Sequence, residues 1–264
     1  MPGMKAGYGA GHLDHDEPLE LRRLRAHEEF ADAGSRRALD GLDPVPGWRC
    51  LELGGGTGSV GRWLAQRCAP GEVVVTDLDT TLLPTDVANL TPLRHDVLYD
   101  DFPAASFDLV HARALLEHLP DRAAALARMV GWTAPGGWVC VDATLRITPP
   151  GGSRTAFHRC LEGLSRLASG RMGADIGWAT GLPLMLAEAG LVEVGVLCTP
   201  GVVGSTGNAT GLVRVSLEQF GPLLREHDLV SDDDISDCLA LLDDPGHADL
   251  PFLLISAWGR RPRP

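Results

Sequence analysis

The segment Trp48–Leu64 constrains the fold most, since it sets a cluster of glycines between a short apolar run and a helix-like pattern. An acid, Glu52, stands near the end of the apolar run, and the glycines that follow it are Gly54, Gly55, Gly56 and Gly58. Because no side chain obstructs such a turn, a ligand can contact its backbone directly. A strand, a glycine turn and a helix form the nucleotide pocket at the carboxyl edge of an α/β sheet. The segment therefore predicts a nucleoside-containing cofactor.

Two nucleotide fingerprints overlap in this turn. Gly56, Gly58 and Gly61 spell the dinucleotide pattern G-x-G-x-x-G, and Asp77 follows at about the 20-residue spacing that this pattern expects. However, the dinucleotide pattern needs apolar strand residues directly before its first glycine, where this chain has two further glycines. The alternative spacing, Glu52 followed by a glycine at every second position, resembles motif I of the class I S-adenosylmethionine-dependent methyltransferases.

The next two predicted strands extend the resemblance. Val73–Val75 is a β-branched run that leads to Asp77, whose carboxylate at the strand tip can accept both ribose hydroxyls. Asp79, two residues later, is expected to cap a helix instead. Leu93–Val97 is typical of a third strand tip, where the resemblance implies that Asp96 accepts from the adenine amino group. The resemblance also implies that the following backbone amide contacts a ring nitrogen of the adenine.

Two later segments complete the series of motifs. Phe107–Arg113 predicts a fourth strand, and Leu115–Asp121 after it resembles the post-strand signature of the family. Ala134–Trp138 resembles the glycine turn that enters the fifth strand, which is predicted over Trp138–Asp142. Four ordered matches at strand ends, over roughly 90 residues, indicate a methyltransferase fold.

The expected fold class is α/β, with a doubly wound, Rossmann-like, seven-stranded and mostly parallel sheet, helices on both faces and a helical cap. Residues 1–45 are predicted to form an N-terminal helical lid, and residues 46–264 the S-adenosylmethionine-binding methyltransferase domain. Cap insertions are expected at about 146–175 and 200–246. Individual predicted elements in these regions are helices over Pro18–Leu42, Ala156–Ala168, Trp178–Ala189 and Val213–Arg225, strands over Val192–Cys198 and Pro251–Trp258, and a mobile start from Gly201 to Gly211.

A lid and a cap after the fifth strand are typical of the small-molecule branch of this family, which includes ubiquinone and menaquinone biosynthesis enzymes and many natural-product methyltransferases. The chain has His111-Ala112-Arg113-Ala114 where nucleic-acid-modifying members carry Asn/Asp-Pro-Pro-Tyr/Phe. The expected function is therefore methyl transfer to an oxygen, carbon or nitrogen of a small molecule, in secondary or cofactor metabolism. An oxygen or carbon acid also needs a base with a pKa near neutrality, for which His118, His111 and His12 are candidates.

Two alternatives stay open at this stage. A cyclase or regulatory module on the same scaffold can bind the cofactor without transferring methyl groups, since cofactor binding and substrate chemistry use different residues. An NAD-dependent oxidoreductase is the second alternative, and the position of Gly54 and Gly55 counts against it.

Composition restricts the partners and the compartment. The formal net charge of −12 argues against a nucleic-acid partner, because phosphate binding needs a basic surface. The sequence contains no run of about 18 apolar residues, so it predicts no membrane span. Lys5 is the only lysine, which excludes Schiff-base chemistry deeper in the fold. The 6 cysteines include no C-x-x-C pair, so they predict a reducing cytoplasm and no metal site. A homodimer is compatible with the sequence.

S-adenosyl-L-methionine is thus the expected cofactor, with a small-molecule acceptor as the partner. The predicted cofactor-binding residues are Tyr8, Glu52, Gly54, Gly56, Thr57, Gly58, Asp77, Leu78, Asp96, Val97, Arg113 and His118.

Overall fold

The computed structural model of the chain describes residues 18–148, 155–171, 173–175 and 177–264. Tyr8 and His12 of the predicted site lie outside the described residues, as does the whole segment before the first predicted helix.

Strands and helices alternate along the described chain. The strands are β1 (Cys50–Leu53), β2 (Val73–Asp77), β3 (Leu90–Arg94), β4 (Phe107–Arg113), β5 (Thr133–Arg146), β6 (Val192–Gly204) and β7 (Ala248–Arg260). The α-helices are α1 (Glu20–Asp40), α2 (Ser59–Cys68), α3 (Arg122–Trp132), α4 (Ala156–Arg171), α5 (Leu182–Glu188), α6 (Thr210–Glu226) and α7 (Asp232–Asp243). Short 3-10 helices cover Leu116–His118 and Trp178–Gly181.

The strands described form one sheet of order β3-β2-β1-β4-β5-β7-β6. The pairs β1–β2, β1–β4, β2–β3 and β4–β5 are all parallel. The order reverses between β1 and β4, and right-handed crossovers on either side of such a reversal place their helices on opposite faces. Open sheets of this kind bind ligands outside the carboxyl ends of the strands at the reversal. The predicted mostly parallel, seven-stranded α/β sheet is confirmed.

Apolar side chains explain why the elements around the glycine turn form. β2 begins with consecutive buried valines, as expected of a strand covered on both faces. α2 begins at Ser59, directly after the turn, and buries Val60, Leu64 and Cys68. These residues belong to a core cluster that also contains Leu39 of α1. The turn is therefore fixed between a buried strand and a buried helix face.

The chain divides into two compact units. The sheet unit comprises Asp32–Thr144, Trp178–Thr199 and Leu254–Pro264. The insert unit comprises the described parts of Met1–Ala31, Leu145–Gly177 and Pro200–Leu253. The boundaries predicted for a lid and two cap insertions stay predictions.

Polar contacts join the helices of the insert unit. α4, α6 and α7 pack against one another, and Arg159 of α4 pairs with Asp234 of α7 at 2.5 Å. Glu20, fully buried at the start of α1, accepts a hydrogen bond of 2.9 Å from Gln219 of α6. α7 was absent from the predicted elements, although Ser231 supplies its N-cap by accepting from the Asp234 amide.

The glycines after the sixth predicted strand led to the prediction of a mobile stretch, which is wrong for its first residues. β6 runs on to Gly204, whereas Gly201–Gly211 was expected to begin a mobile stretch. A Cβ on Gly201 would lie 2.5 Å from Cε2 of Phe30 and 2.9 Å from Cβ of Phe252. Glycine is therefore required at this position for close packing rather than for mobility.

The predicted helix cap at Asp79 is also wrong. Its Oδ1 accepts from the Thr81 amide at 2.9 Å within a turn, and no helix lies between β2 and β3. Short acidic side chains stabilise turns by the same local hydrogen bond that they use at helix ends, so the residue type alone does not separate the two.

The packing of the glycine turn gives a stability prediction. A Cβ on Gly55 would lie 2.3 Å from Cγ1 of Val75, in the buried second strand. We expect Gly55→Ala to lower the free energy of unfolding by about 1–3 kcal/mol through overpacking. Urea denaturation measures the effect, and the Gly55→Ala, Val75→Ala double variant should show a favourable coupling energy.

Gly131→Ala is the matched control, because a Cβ at that position of α3 has nothing within 4 Å. The higher helix propensity of alanine should then raise the free energy of unfolding of the Gly131→Ala variant, by up to about 1 kcal/mol. Equal effects of the two alanine substitutions would contradict the packing argument.

Candidate functional site

The glycine turn after β1 has the backbone that the alternating spacing demands. Gly54, Gly56 and Gly58 have φ values of +66°, +57° and +81°, in the left-handed region that favours glycine. Gly61 has a different role, since a Cβ there would lie 2.4 Å from Cγ2 of Val75. Backbone conformation thus explains the glycines at every second position, and packing of α2 on β2 explains the last one.

Asp77 reaches this turn from the end of β2. Its Oδ2 accepts a 3.0 Å hydrogen bond from the Gly56 amide, and its Oδ1 accepts from the Asp79 amide at 3.3 Å. Leu78 follows with 40% of its surface exposed. The structure therefore brings together the glycine turn and the acid that the sequence predicted to act with it.

Asp96 and Val97 follow β3 at the same edge of the sheet. The Oδ1 of Asp96 accepts from the Leu98 amide at 3.0 Å, and its own amide donates to Oδ2 of Asp100 at 2.8 Å. The Val97 side chain is buried. The segment therefore forms a compact acidic turn directly after β3.

Three charged side chains are buried together where β1, β4 and β5 run side by side. His111 is fully buried, with Nδ1 at 2.5 Å from Oε2 of Glu52 and Nε2 at 3.2 Å from Oδ2 of Asp142. Both carboxylates are themselves almost inaccessible. We call these three residues the ion triad.

Burial alone would lower the pKa of His111, but the carboxylates of Glu52 and Asp142 outweigh burial and raise it to about 10. Burial would raise the pKa of Asp142, and the adjacent His111 lowers it instead. The ring is therefore a cation at neutral pH with both nitrogens engaged. A general base needs a free, neutral nitrogen, so this geometry argues against the predicted role of His111 as a base, which stays a prediction.

The same cluster has one possible metal-ligand arrangement. Ligand atoms of His111, Cys140 and Asp142 lie within 4.8 Å of one another. Burial raises the pKa of the Cys140 thiol well above its usual value, so the sulfur stays protonated. A protonated thiol and a histidine bonded to two carboxylates are poor donors, so the ion triad accounts for these residues better than a metal does.

Arg113 ends β4 and joins it to two helices of the sheet unit. Its guanidinium donates to Oδ1 of Asp32 at 2.8 Å, to Ser35 at 3.2 Å and to Ser59 at 3.1 Å. Ser59 in turn donates to Asp32 at 2.8 Å. Arg113 therefore ties α1 and the first residue of α2 to the carboxyl edge of the sheet, and its predicted contact with a cofactor stays a prediction.

The chain turns sharply after β4. Ala114 has a φ of +50°, which is uncommon for a residue with a side chain, and its amide donates to the Asp142 carbonyl at 3.0 Å. Strained backbone of this kind is found preferentially at functional sites. The turn leads directly into the 3-10 helix Leu116–His118, where His118 is half-buried.

Glu117 in this 3-10 helix was missed by the sequence analysis. Its side chain is buried, and Oε2 has no hydrogen-bond partner among the described residues. Burial raises the pKa of Glu117 to about 7, with the Asp142 charge adding to the rise and Arg122 opposing it. The sequence contained the residue within the post-strand signature, but no local pattern distinguishes a buried acid from a solvated one.

The described residues include no helix with the length and apolar character needed to cross a membrane.

The ion triad gives a pH-dependent stability. Because the pKa of His111 is about 10 when folded and about 6.5 when unfolded, its stabilisation is complete below about pH 6.5 and is lost as the pH rises through 10. We expect His111→Gln to be less stable at pH 7 and to lose most of the wild-type decline between pH 7 and 10. Urea unfolding at stepped pH measures both.

His95→Gln is the control, since burial lowers the pKa of His95 and the ring is already neutral above pH 7. This variant should retain the wild-type decline. An unchanged slope in His111→Gln would show that the triad is not charged.

Comparison with known proteins agrees with the strand order and the turn. Residues 51–139 match a family model described as a methyltransferase domain. Trans-aconitate 2-methyltransferase of Deinococcus radiodurans is 30% identical over 174 residues, which cover 64% of this chain and 65% of that protein. A ubiquinone/menaquinone biosynthesis C-methyltransferase of Ralstonia pickettii is 35% identical over 104 residues, 36% of this chain and 43% of that protein.

The matches span about a fifth to two thirds of the curated relatives' length. The match to methyltransferase str2 of Strobilurus tenacellus covers 36% of this chain and 34% of that protein at 33% identity. Among solved structures, a phosphoethanolamine N-methyltransferase 2 of Haemonchus contortus has a TM-score of 0.63 at 17% identity, over 100% of this chain and 62% of that chain. That likeness concerns the fold alone. Residues 51–139 therefore resemble a methyltransferase domain in sequence, and the described fold agrees with that resemblance.

Proposed function

We propose that this protein transfers a methyl group from S-adenosylmethionine to a small-molecule acceptor. The observation that carries the proposal is the Asp77 carboxylate bonded at 3.0 Å to the Gly56 amide, beside a turn of three left-handed glycines. A carboxylate beside a glycine turn at the carboxyl edge of β1 and β2 is the arrangement that binds a nucleoside in open α/β sheets. The proposal covers the whole chain, while the family match covers residues 51–139.

Several residues fit the cofactor. We assign the amino-acid portion of the cofactor to the turn of Gly54, Gly56, Thr57 and Gly58, and the ribose hydroxyls to Asp77. The adenine contacts are assigned to Leu78, Asp96 and Val97 at the two neighbouring strand ends. When bound, the cofactor supplies an electrophilic methyl carbon on a positively charged sulfur. Contacts by Tyr8, Arg113 and His118 remain predictions.

We assign the proton-accepting role to Glu117 rather than to His111. Its carboxyl lies in the 3-10 helix that follows β4, close enough to Asp142 and Arg122 to respond to both charges. With a pKa of about 7, it is half ionised at neutral pH, which suits a general base. With an acceptor bound, the Glu117 carboxylate would take the proton that the acceptor loses on methylation. Roles of His118 and His12 in catalysis stay predictions.

The ion triad then acts indirectly. Glu52 gives one carboxylate oxygen to His111, so we propose that it holds the start of the turn in place instead of bonding the cofactor itself. A cytoplasmic location and the absence of a nucleic-acid partner are further proposals, supported by the cysteine usage and the net charge of −12. Assembly into a homodimer is compatible with this function.

Cofactor binding is the first test. S-adenosylhomocysteine should raise the thermal midpoint, because a ligand that binds only the folded state stabilises it by mass action. NAD should leave the midpoint unchanged. Asp77→Ala should weaken S-adenosylhomocysteine binding at least tenfold in calorimetric titration, since each charge-assisted hydrogen bond contributes about 1.5–3 kcal/mol.

Asp79→Ala is the matched control, because the Asp79 carboxylate accepts from the Thr81 amide within its own turn, and this variant should bind S-adenosylhomocysteine with nearly wild-type affinity. A stabilisation by NAD alone would replace the proposal with an oxidoreductase. Binding without methylation of any acceptor, in a screen that includes carboxylic acids and quinols, would favour a regulatory module.

Glu117 gives a prediction that needs no acceptor. S-adenosylmethionine carries a positive charge that S-adenosylhomocysteine lacks, and a nearby cation favours the ionised carboxylate. We expect binding of S-adenosylmethionine at pH 7 to release more protons than binding of S-adenosylhomocysteine. Titration calorimetry in buffers of different ionisation enthalpy measures this difference.

Glu117→Gln should abolish the difference in proton release while retaining both affinities within a fewfold. Glu72→Gln, an exposed acid of the sheet unit, should behave like the wild type. An equal release in wild type and Glu117→Gln would remove Glu117 from the methyl-transfer site.

A further inference from the structure

Arg146, at the end of β5, is a buried cation of the insert unit that the proposed function leaves unused. Only 9% of its side chain is exposed. Its Nη1 donates to Oε2 of Glu162 at 2.8 Å and to the hydroxyl of Ser165 at 3.1 Å, both on α4. Its Nε and Nη2 are buried and have no hydrogen-bond partner among the described residues.

The unpaired atoms form one edge of the guanidinium. Arg23 in the same unit uses the corresponding edge on Glu20, with Nε at 2.9 Å from one carboxylate oxygen and Nη2 at 2.6 Å from the other. Arg159 directs Nε and Nη2 to one oxygen of Asp234, Oδ1, at 2.9 and 2.5 Å. Two parallel N–H groups on this edge match the two oxygens of a carboxylate or phosphate.

A buried donor without a partner is costly, most of all on a charged group, and such groups call for a missing ligand. Glu162 does not satisfy this edge, because its carboxylate contacts Nη1 and is half exposed. The remaining edge of Arg146 is therefore a donor pair of fixed geometry with no acceptor in the described chain.

We propose that the Nε–Nη2 edge of Arg146 binds an oxyanion of a small molecule, either a carboxylate or a phosphate group. The site lies wholly in the insert unit and does not rest on the proposed methyl transfer. Glu162 tunes it, since its negative charge next to the guanidinium lowers the affinity for a second anion. Removing that charge should therefore strengthen binding, an effect that a purely structural arginine does not produce.

Titration calorimetry on the full chain tests the proposal, with citrate and inorganic phosphate as separate probes at constant ionic strength. Tricarballylamide, a neutral amide, serves as the uncharged probe. We expect at least one of the two anions to bind and the amide not to bind. Citrate binding alone would indicate a carboxylate site, and phosphate binding alone a phosphate site.

Four variants test whether Arg146 is the residue that binds the anion. Arg146→Lys keeps a charge beside Glu162 but loses the two-pronged edge, so anion affinity should fall at least tenfold, and Arg146→Gln should abolish binding. Glu162→Gln should tighten binding several-fold. Arg166→Gln, an exposed arginine on the same helix, should leave affinity unchanged.

Thermal unfolding and S-adenosylhomocysteine titration of each variant separate loss of the site from loss of the fold. If Arg146→Gln fails to fold, the Arg146→Lys and Glu162→Gln results decide alone. Absence of anion binding in the wild type would overturn the proposal and assign water to this edge. Equal affinities of wild type, Arg146→Lys and Glu162→Gln would overturn it as well.

Discussion

The ion triad is the interaction on which the rest of the sheet edge depends. Glu52 lies directly opposite His111 in the register of β1 and β4, and Asp142 comes from β5 on the other side. Two negative charges and one positive charge are thus buried on three adjacent strands. Burying charges is costly, and leaving one of them unpaired costs more, so a one-residue slip of any strand is strongly disfavoured. The triad thereby specifies the register from which the glycine turn and the segment after β4 begin.

The candidate functional groups lie within a few residues of the ion triad along each strand. The turn begins at Gly54, two residues beyond Glu52, and Arg113 ends β4 two residues beyond His111. Arg113 then holds α1 and α2, while the left-handed Ala114 redirects the chain toward Glu117. The carboxyl edge therefore combines strands held in register by the ion triad with short, strained connections. Side chains held in this way keep a fixed orientation, which catalysis by positioning requires.

Sequence reasoning succeeded where local pattern and function coincide. The valine run and the acid after it predicted both β2 and the approach of Asp77 to the turn, because strand ends and glycine spacing are local properties. It did not reveal the pairing of His111 or the burial of Glu117, since both depend on strands distant in sequence. A histidine in a strand was treated as a free base, although its neighbours across the sheet convert it to a paired cation. Glycine at position 201 was taken for mobility, because composition does not reveal that Phe30 occupies the adjacent space.

The packing of Val75 restricts which substitutions this sequence can accept during evolution. One of its methyl groups faces Gly55 in the turn, and the other faces Gly61 in α2. A single valine thus limits two glycines on different elements. Neither glycine can acquire a side chain, and the valine cannot grow, unless the other positions change too. Substitutions at these three positions are therefore coupled. A lineage that replaces any of them alone must pass through a poorly packed ancestor.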